Sequence, residues 1–133
     1  MNEQALCDIR QALRDRCPAS AKPHTDKHTR QLLLYIFAVT RGGLTRLRII
    51  MELSESTRNP NQLARALGLD YKAVTHNLKV LERNSMVSKI GDDRYGALYR
   101  ISDLLEANLG ALDEVIDKLS YNLEKKNRKK VYH

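Results

Sequence analysis

Hydrophobic positions along the chain change their period several times, and each change marks an element. Leu6, Ile9 and Leu13 fall at helical spacing within residues 2–16, which predicts a short amphipathic helix ending near Cys17 and Pro18. The stretch PASAKPHTDKHTR, residues 18–30, holds two prolines among small and polar groups and reads as a linker. An unbroken apolar run follows, Leu32–Val39, bounded by Gly42 and Gly43. Periodicity does not separate a buried strand from a buried helical turn or two in such a run, and a strand is the expectation carried forward. From Leu44 the period is clearly helical, with Leu44, Leu47, Ile50, Met51 and Leu53 on one face up to about Ser54.

The next segment starts with capping chemistry. In Asn59-Pro60-Asn61-Gln62, Asn accepts first-turn amides, Pro suits the first helical position, and Gln62 stands where a capping box reaches back. Leu63 and Leu67 form the inner face of a helix barely two turns long, which Gly68 ends in the left-handed conformation. Asp70 is placed to cap a further helix, Tyr71 to about Asn84, with Val74, Leu78 and Leu81 on one side. The period then turns strand-like. Met86–Ile90, a Gly91-Asp92-Asp93 turn and Tyr95–Ser102 predict a hairpin. Asp103 and Glu106 are spaced as a capping box for one long C-terminal helix. Its Leu105, Leu109, Leu112, Ile116, Leu119 and Leu123 follow a heptad seam, which favours pairing with another helix and marks them as a dimer interface.

Composition narrows the class. A chain of 133 residues, 42% hydrophobic and 29% charged, fits one soluble domain with a short appended arm. No apolar run approaches the roughly 20 residues of a membrane span. MNEQALCDIR carries acids and polar groups where a secretory signal needs a basic start and an apolar stretch, so a cytoplasmic location is expected. Cys7 and Cys17 are too few for a disulfide framework. The formal net charge of +7 points toward polyanionic partners. Its distribution is uneven: five basic residues and no acid lie between Lys27 and Met51, and five acids and no base between Asp103 and Asp117. A basic run, Lys125, Lys126, Arg128, Lys129 and Lys130, follows near the end.

The stretch NPNQLARALGLDYKAVTHNLKVLERNSMV resembles the second and third helices of winged helix-turn-helix transcription regulators of the arsenic-repressor-like group. The flanking TRGGLTRLRII and YGALYRIS resemble an archaeal subset of that group. The likeness covers roughly residues 40–102 and rests on the joint spacing of Leu63, Ala64, Leu67, Gly68, Leu69, Val74, Leu78 and Leu81. It implies double-stranded DNA binding by a homodimer, with the third helix in a major groove and the hairpin as a wing on backbone or minor groove. The expected fold is mainly α with a small β-hairpin (α+β). It divides into an N-terminal helix and linker (1–30), a winged helix-turn-helix (31–102), and a C-terminal dimerisation helix with a basic tail (103–133).

Residue chemistry supports that expectation independently. At 100° per residue, Lys72, His76, Lys79 and Arg83 cluster opposite the apolar side of the third helix. Tyr71, Lys72, Thr75 and His76, near its start, are candidates for base edges. Lys79, Arg83, Arg65, Arg46 and Arg48 are candidates for phosphates. On the wing, Lys89 and Arg94 are stronger candidates than the tip, where Asp92 and Asp93 repel phosphate. Tyr99 is expected to pack on the core, and Tyr95 is left open. His24, Asp26, His28 and Cys17 are acceptable metal-ligand types, yet they stand in the expected linker, and no metal site or cofactor is expected. The paired cysteines of metal-responsive members are replaced here by Asp70, Tyr71 and Lys72. No phosphate loop, nucleophile elbow or metalloprotease motif occurs, so an enzyme is not expected. The alternatives are a winged-helix module for protein or RNA contact and a non-specific architectural binder of DNA. No effector can be named, and no membrane partner is expected.

Overall fold

Local signals set the helix boundaries at the centre of the molecule. In the computed structural model, which describes residues 3–16, 26–91 and 96–131, the Gln62 amide donates to Asn59 Oδ1 at 2.8 Å. The Asn59 amide donates in return to Gln62 Oε1 at 2.9 Å. This reciprocal box, with Pro60 as first residue, starts α4 (Pro60–Leu67), and Gly68 ends it at φ 64°. Before it stand α1 (Glu3–Arg16), α2 (Lys27–Leu34) and α3 (Gly43–Glu55); after it come α5 (Tyr71–Arg83), β1 (Val87–Ile90), β2 (Leu98–Ile101), α6 (Asp103–Ala107) and α7 (Leu109–Val131). Asp70 does occupy the N-cap position of α5, but its side chain makes no capping hydrogen bond.

β1 and β2 pair antiparallel, Val87 opposite Ile101 and Ile90 opposite Leu98. Arg58 adds a third, one-residue edge: its amide donates to the Tyr99 carbonyl at 3.2 Å, and the Tyr99 amide to its carbonyl at 2.8 Å. Tyr99 is buried, as expected. Three helices, α3, α4 and α5, followed by this small sheet form a winged helix-turn-helix. Its apolar core of Leu47, Ile50, Leu63, Val74, Leu78, Leu81, Met86 and Ile101 is continuous with that of the flanking helices.

The 27–39 segment departs from expectation twice. Lys27–Arg30, read as linker, is the first turn of α2, started by Asp26, whose Oδ1 accepts from the Thr29 amide at 2.8 Å. Leu32–Val39, expected as a strand, is helical: α2 runs on into a turn of π-helix, Tyr35–Val39. Leu33, Ile36 and Phe37 are buried at helical spacing, while Tyr35 is 58% and Val39 73% exposed. Those two exposed apolar residues made the run look uniformly hydrophobic, and among the described residues the sheet has two strands, neither of them from this segment. Gly42 turns the chain at φ 92°, and at Gly43 a Cβ would overlap the Phe37 carbonyl, so α3 can start this close to the π-helix only with glycine there.

The C-terminal region is also rearranged. Ser102, not Asp103, is the cap: its Oγ accepts from the Leu105 amide at 3.1 Å. The helix breaks at Asn108 (φ −121°), so α6 and α7 are separate. Leu105, Leu109, Leu112 and Ile116 are buried within the chain itself. α1 packs chiefly on α7 and brings Leu6, Ile9 and Leu13 into the same core. The stripe from Leu105 to Ile116 is therefore interior surface of one chain and not a face between two. The heptad spacing could not tell these apart, because both demand the same leucines. Leu119 is half-buried, and the Leu123 side chain lies outside the described residues. Among the described residues no helix is long and apolar enough to cross a membrane.

Candidate nucleic-acid interface

Burying Val74, Leu78 and Leu81 of α5 leaves its other side to solvent. Lys72, His76, Lys79 and Arg83 are all exposed there, and Tyr71 is 51% exposed. Thr75 is half-buried, and its hydroxyl donates to the Lys72 carbonyl at 3.1 Å. Among the described residues none of those four basic side chains has an ion-pair or hydrogen-bond partner. Their donors are free for an incoming acceptor, and the charge beside them is not neutralised by the fold.

A groove of about 500 Å³ separates α5 from the wing. Tyr71, Thr75 and Lys79 line one wall, Lys89 and Tyr99 the other, and Asn59, Pro60 and Asn61 close the end. The structure thus brings four of the expected contacts, Tyr71, Thr75, Lys79 and Lys89, to one place. Lys72, His76 and Arg83 lie on α5 outside the groove, and Arg65 is exposed on α4. Arg94, with Tyr95 and both wing aspartates, lies outside the described residues. Asn61 was missed. The sequence marks this stretch as a capping box, but only the tertiary arrangement shows that the start of α4, where first-turn amides lack helical acceptors, faces the groove.

Two expected phosphate contacts are corrected. Arg46 is 4% exposed. Its guanidinium donates to the Ile36 carbonyl at 2.9 Å, to Asn77 Oδ1 at 2.9 Å, to the Arg41 carbonyl at 3.3 Å and to Thr40 Oγ1. Burial holds its pKa below the ordinary arginine value. Arg48 donates to the Leu67 carbonyl at 2.7 Å and so satisfies the end of α4. Both arginines belong to the helix-turn-helix scaffold. Their position two apart in a basic stretch gave no hint that Arg46 is buried and that half-buried Arg48 is bonded to the end of α4.

The acidic segment is paired locally. Arg10 donates to Asp113 at 2.9 Å and to Asp117 at 3.0 Å. Arg14 approaches Asp113 at 3.6 Å, and Arg30 approaches Glu114 at 3.5 Å. The hydrogen bond to Asp113, with the charges of both aspartates, raises the Arg10 pKa against the lowering effect of burial. Asp26 is held below the ordinary carboxylate value by its hydrogen bonds to Thr29. His28 is exposed on the first turn of α2, Asp26 is committed to the cap, and Cys17 and His24 lie outside the described residues. Among the described residues no three candidate ligands cluster.

Residues 44–89, from α3 into β1, match the family model described as bacterial regulatory protein, arsR family. No curated protein matches the chain. Solved structures similar to it include a MarR-family transcriptional regulator from Enterococcus faecalis V583, at 22% identity and TM-score 0.49, covering 86% of this chain and 100% of that one. A MarR-family protein from Bacillus stearothermophilus is similar at 22% identity and TM-score 0.46, over 94% of this chain and 81% of that one. The homodimeric winged helix-turn-helix DNA-binding domain of Mb0332 from Mycobacterium bovis is similar at 18% identity and TM-score 0.40, over 89% and 88%.

Proposed function

We propose that this chain is a sequence-specific, double-stranded DNA-binding transcriptional regulator, a binding protein rather than an enzyme, acting in the cytoplasm as a homodimer. The observation that carries this reading is the row of unpartnered donors on α5 beside a groove walled by Lys79 and Lys89. The arsR-family match over the same helices supports it. Lys72 and His76, with Tyr71 and Thr75 at the start of α5, reach base edges, where long donors discriminate in a major groove. Lys79, Arg83, Arg65 and Lys89 meet phosphates and set the register. Arg94 joins them from the wing. The archaeal subset resembled by TRGGLTRLRII and YGALYRIS is a finer part of the same reading.

The homodimer rests on the far end of α7. Its 23 residues span about 35 Å against about 21 Å for the 14 residues of α1. Tyr121 is 65% exposed near the point where the apolar sequence continues through Leu119 to Leu123. Dimerisation through that end puts two copies of α5 onto successive major grooves about 34 Å apart.

The test is to incubate the full-length protein with fragmented genomic duplex DNA at moderate salt and sequence what it retains. A shared motif with two-fold symmetry is expected. Uniform recovery would replace this reading with architectural binding, and preference for a structured RNA at matched salt would overturn it.

A further inference from the structure

Arg46 is the one charged side chain buried in the core among the described residues, and all its acceptors are neutral. Burying a charge among neutral acceptors is costly, and well-packed apolar groups often do as well at buried charged positions. Its bonds instead mark a joint. In a regular helix the Thr40 amide would donate to the Ile36 carbonyl; here it donates to the Tyr35 carbonyl at 3.2 Å, one residue further back. The Ile36 carbonyl accepts instead from Arg46 Nε at 2.9 Å, with the Thr40 hydroxyl further off at 3.4 Å, so the side chain of α3 supplies the shorter of the two bonds that replace the helical donor the π-helix gives up. The other end of the same guanidinium reaches Asn77 Oδ1 on α5, and Asn77 is itself oriented by donating to the Ala73 carbonyl at 2.8 Å. Gly42 closes over the pair: a Cβ there would stand 3.1 Å from the guanidinium and 3.3 Å from Asn77 Oδ1.

We propose that Arg46 and Asn77 are positioning residues for α5, tying the set of that helix to the π-helical register of Tyr35–Val39, so that a change of register there changes duplex affinity. This rests on the DNA-binding reading and adds to it a connection between the α2 side of the molecule and the interface. Asn77 faces the core between the outward His76 and Lys79, so a shift at its contact moves both donors together.

The experiment compares full-length wild type with Asn77→Ala, Asn77→Asp and Arg46→Met on a mixed-sequence duplex over a salt series, alongside amide hydrogen exchange. Asn77→Ala is expected to weaken binding about tenfold, inside the 5- to 150-fold range of ordinary coupling. The slope of affinity against salt should stay as in wild type, because no phosphate contact is lost. Asn77→Asp keeps the acceptor for Arg46 but loses the donor to the Ala73 carbonyl, and should recover part of that affinity. Arg46→Met and Asn77→Ala should both speed exchange in residues 35–40 and 71–83 but not in α7. Wild-type affinity in both variants would overturn the proposal, and so would a salt slope reduced by about one in Arg46→Met, which would make it a phosphate contact. If Arg46→Met fails to fold, Asn77→Ala decides, since it keeps the guanidinium. If wild type binds no duplex, the DNA reading falls separately, and unchanged exchange at 35–40 in Asn77→Ala would overturn the joint as well.

Discussion

α5 and α7 each carry an apolar stripe on one side and charges on the other, but the fold treats their charges in opposite ways. α7 lays Leu109, Leu112 and Ile116 under α1, and its acids are met by Arg10, Arg14 and Arg30. α5 buries Val74, Leu78 and Leu81 equally well and leaves Lys72, His76, Lys79 and Arg83 without partners among the described residues. Arginines of the N-terminal helices thus pair with Asp113, Glu114 and Asp117 of α7, while the outward cations of α5 have no such counter-charge among the described residues. A net charge of +7 does not reveal this. Amphipathic pattern shows that a helix is half-buried, and only its charge partners show whether the exposed half is used up or available.

The comparison breaks most visibly at the buried stripe of α7. Leu112→Asp places an unpaired carboxylate under α1, and the unfolding free energy in urea should drop by about 4 kcal/mol or more. A folded monomer of near-native stability would show that α1 does not cover that residue. On α5 the change should appear in binding and not in stability. Replacing Lys72, His76 and Lys79 together by Ala should lower duplex affinity about 100-fold and reduce the salt slope, with unfolding free energy within about 0.5 kcal/mol of wild type for each exposed site. Unchanged duplex binding would take α5 out of the interface. Asp113→Asn sharpens the contrast from the other side. Losing its bonds to Arg10 and Arg14 should cost about 1 kcal/mol, most at low salt, while duplex affinity stays constant.

The smallest effect is the acid response of Asp26. Its folded pKa lies below the ordinary 3.8, so its stabilisation of α2 is complete above that value and is lost as the pH falls through the depressed one. Asp26→Asn, which keeps an N-cap acceptor without titrating, should show a shallower fall of Tm on the acid side. Identical acid branches would remove Asp26 from the pH response.

The centre of the fold was legible because its signals are local. Asn59, Pro60, Gln62 and Gly68 place α4 through hydrogen bonds made within a few residues, and Val74, Leu78 and Leu81 orient α5 through its own periodicity. The exposure of the candidates Tyr71, Lys72, His76 and Lys79 follows from that orientation. Arg46 and Arg48 did not follow, because their acceptors are carbonyls and an amide brought close by the turn at Gly42 and the packing of α3 on α4 and α5. Ser102 took the cap from Asp103, since its hydroxyl also reaches the Ser85 carbonyl, at 2.6 Å across the end of the hairpin.

The amino-acid sequence thus dictates where most helices begin and end, which side of each is apolar, and where positive charge is concentrated. These are properties of spacing and of side chains a few residues apart. Folding in three dimensions assigns the partners: α1 to the leucines of α7, the π-helix to the Leu32–Val39 run, Asn77 to Arg46, and, among the described residues, no partner to the outward basic side chains of α5. An apolar stripe is satisfied by any complementary surface and a cation by any acceptor, so spacing states the need and long-range packing selects what meets it.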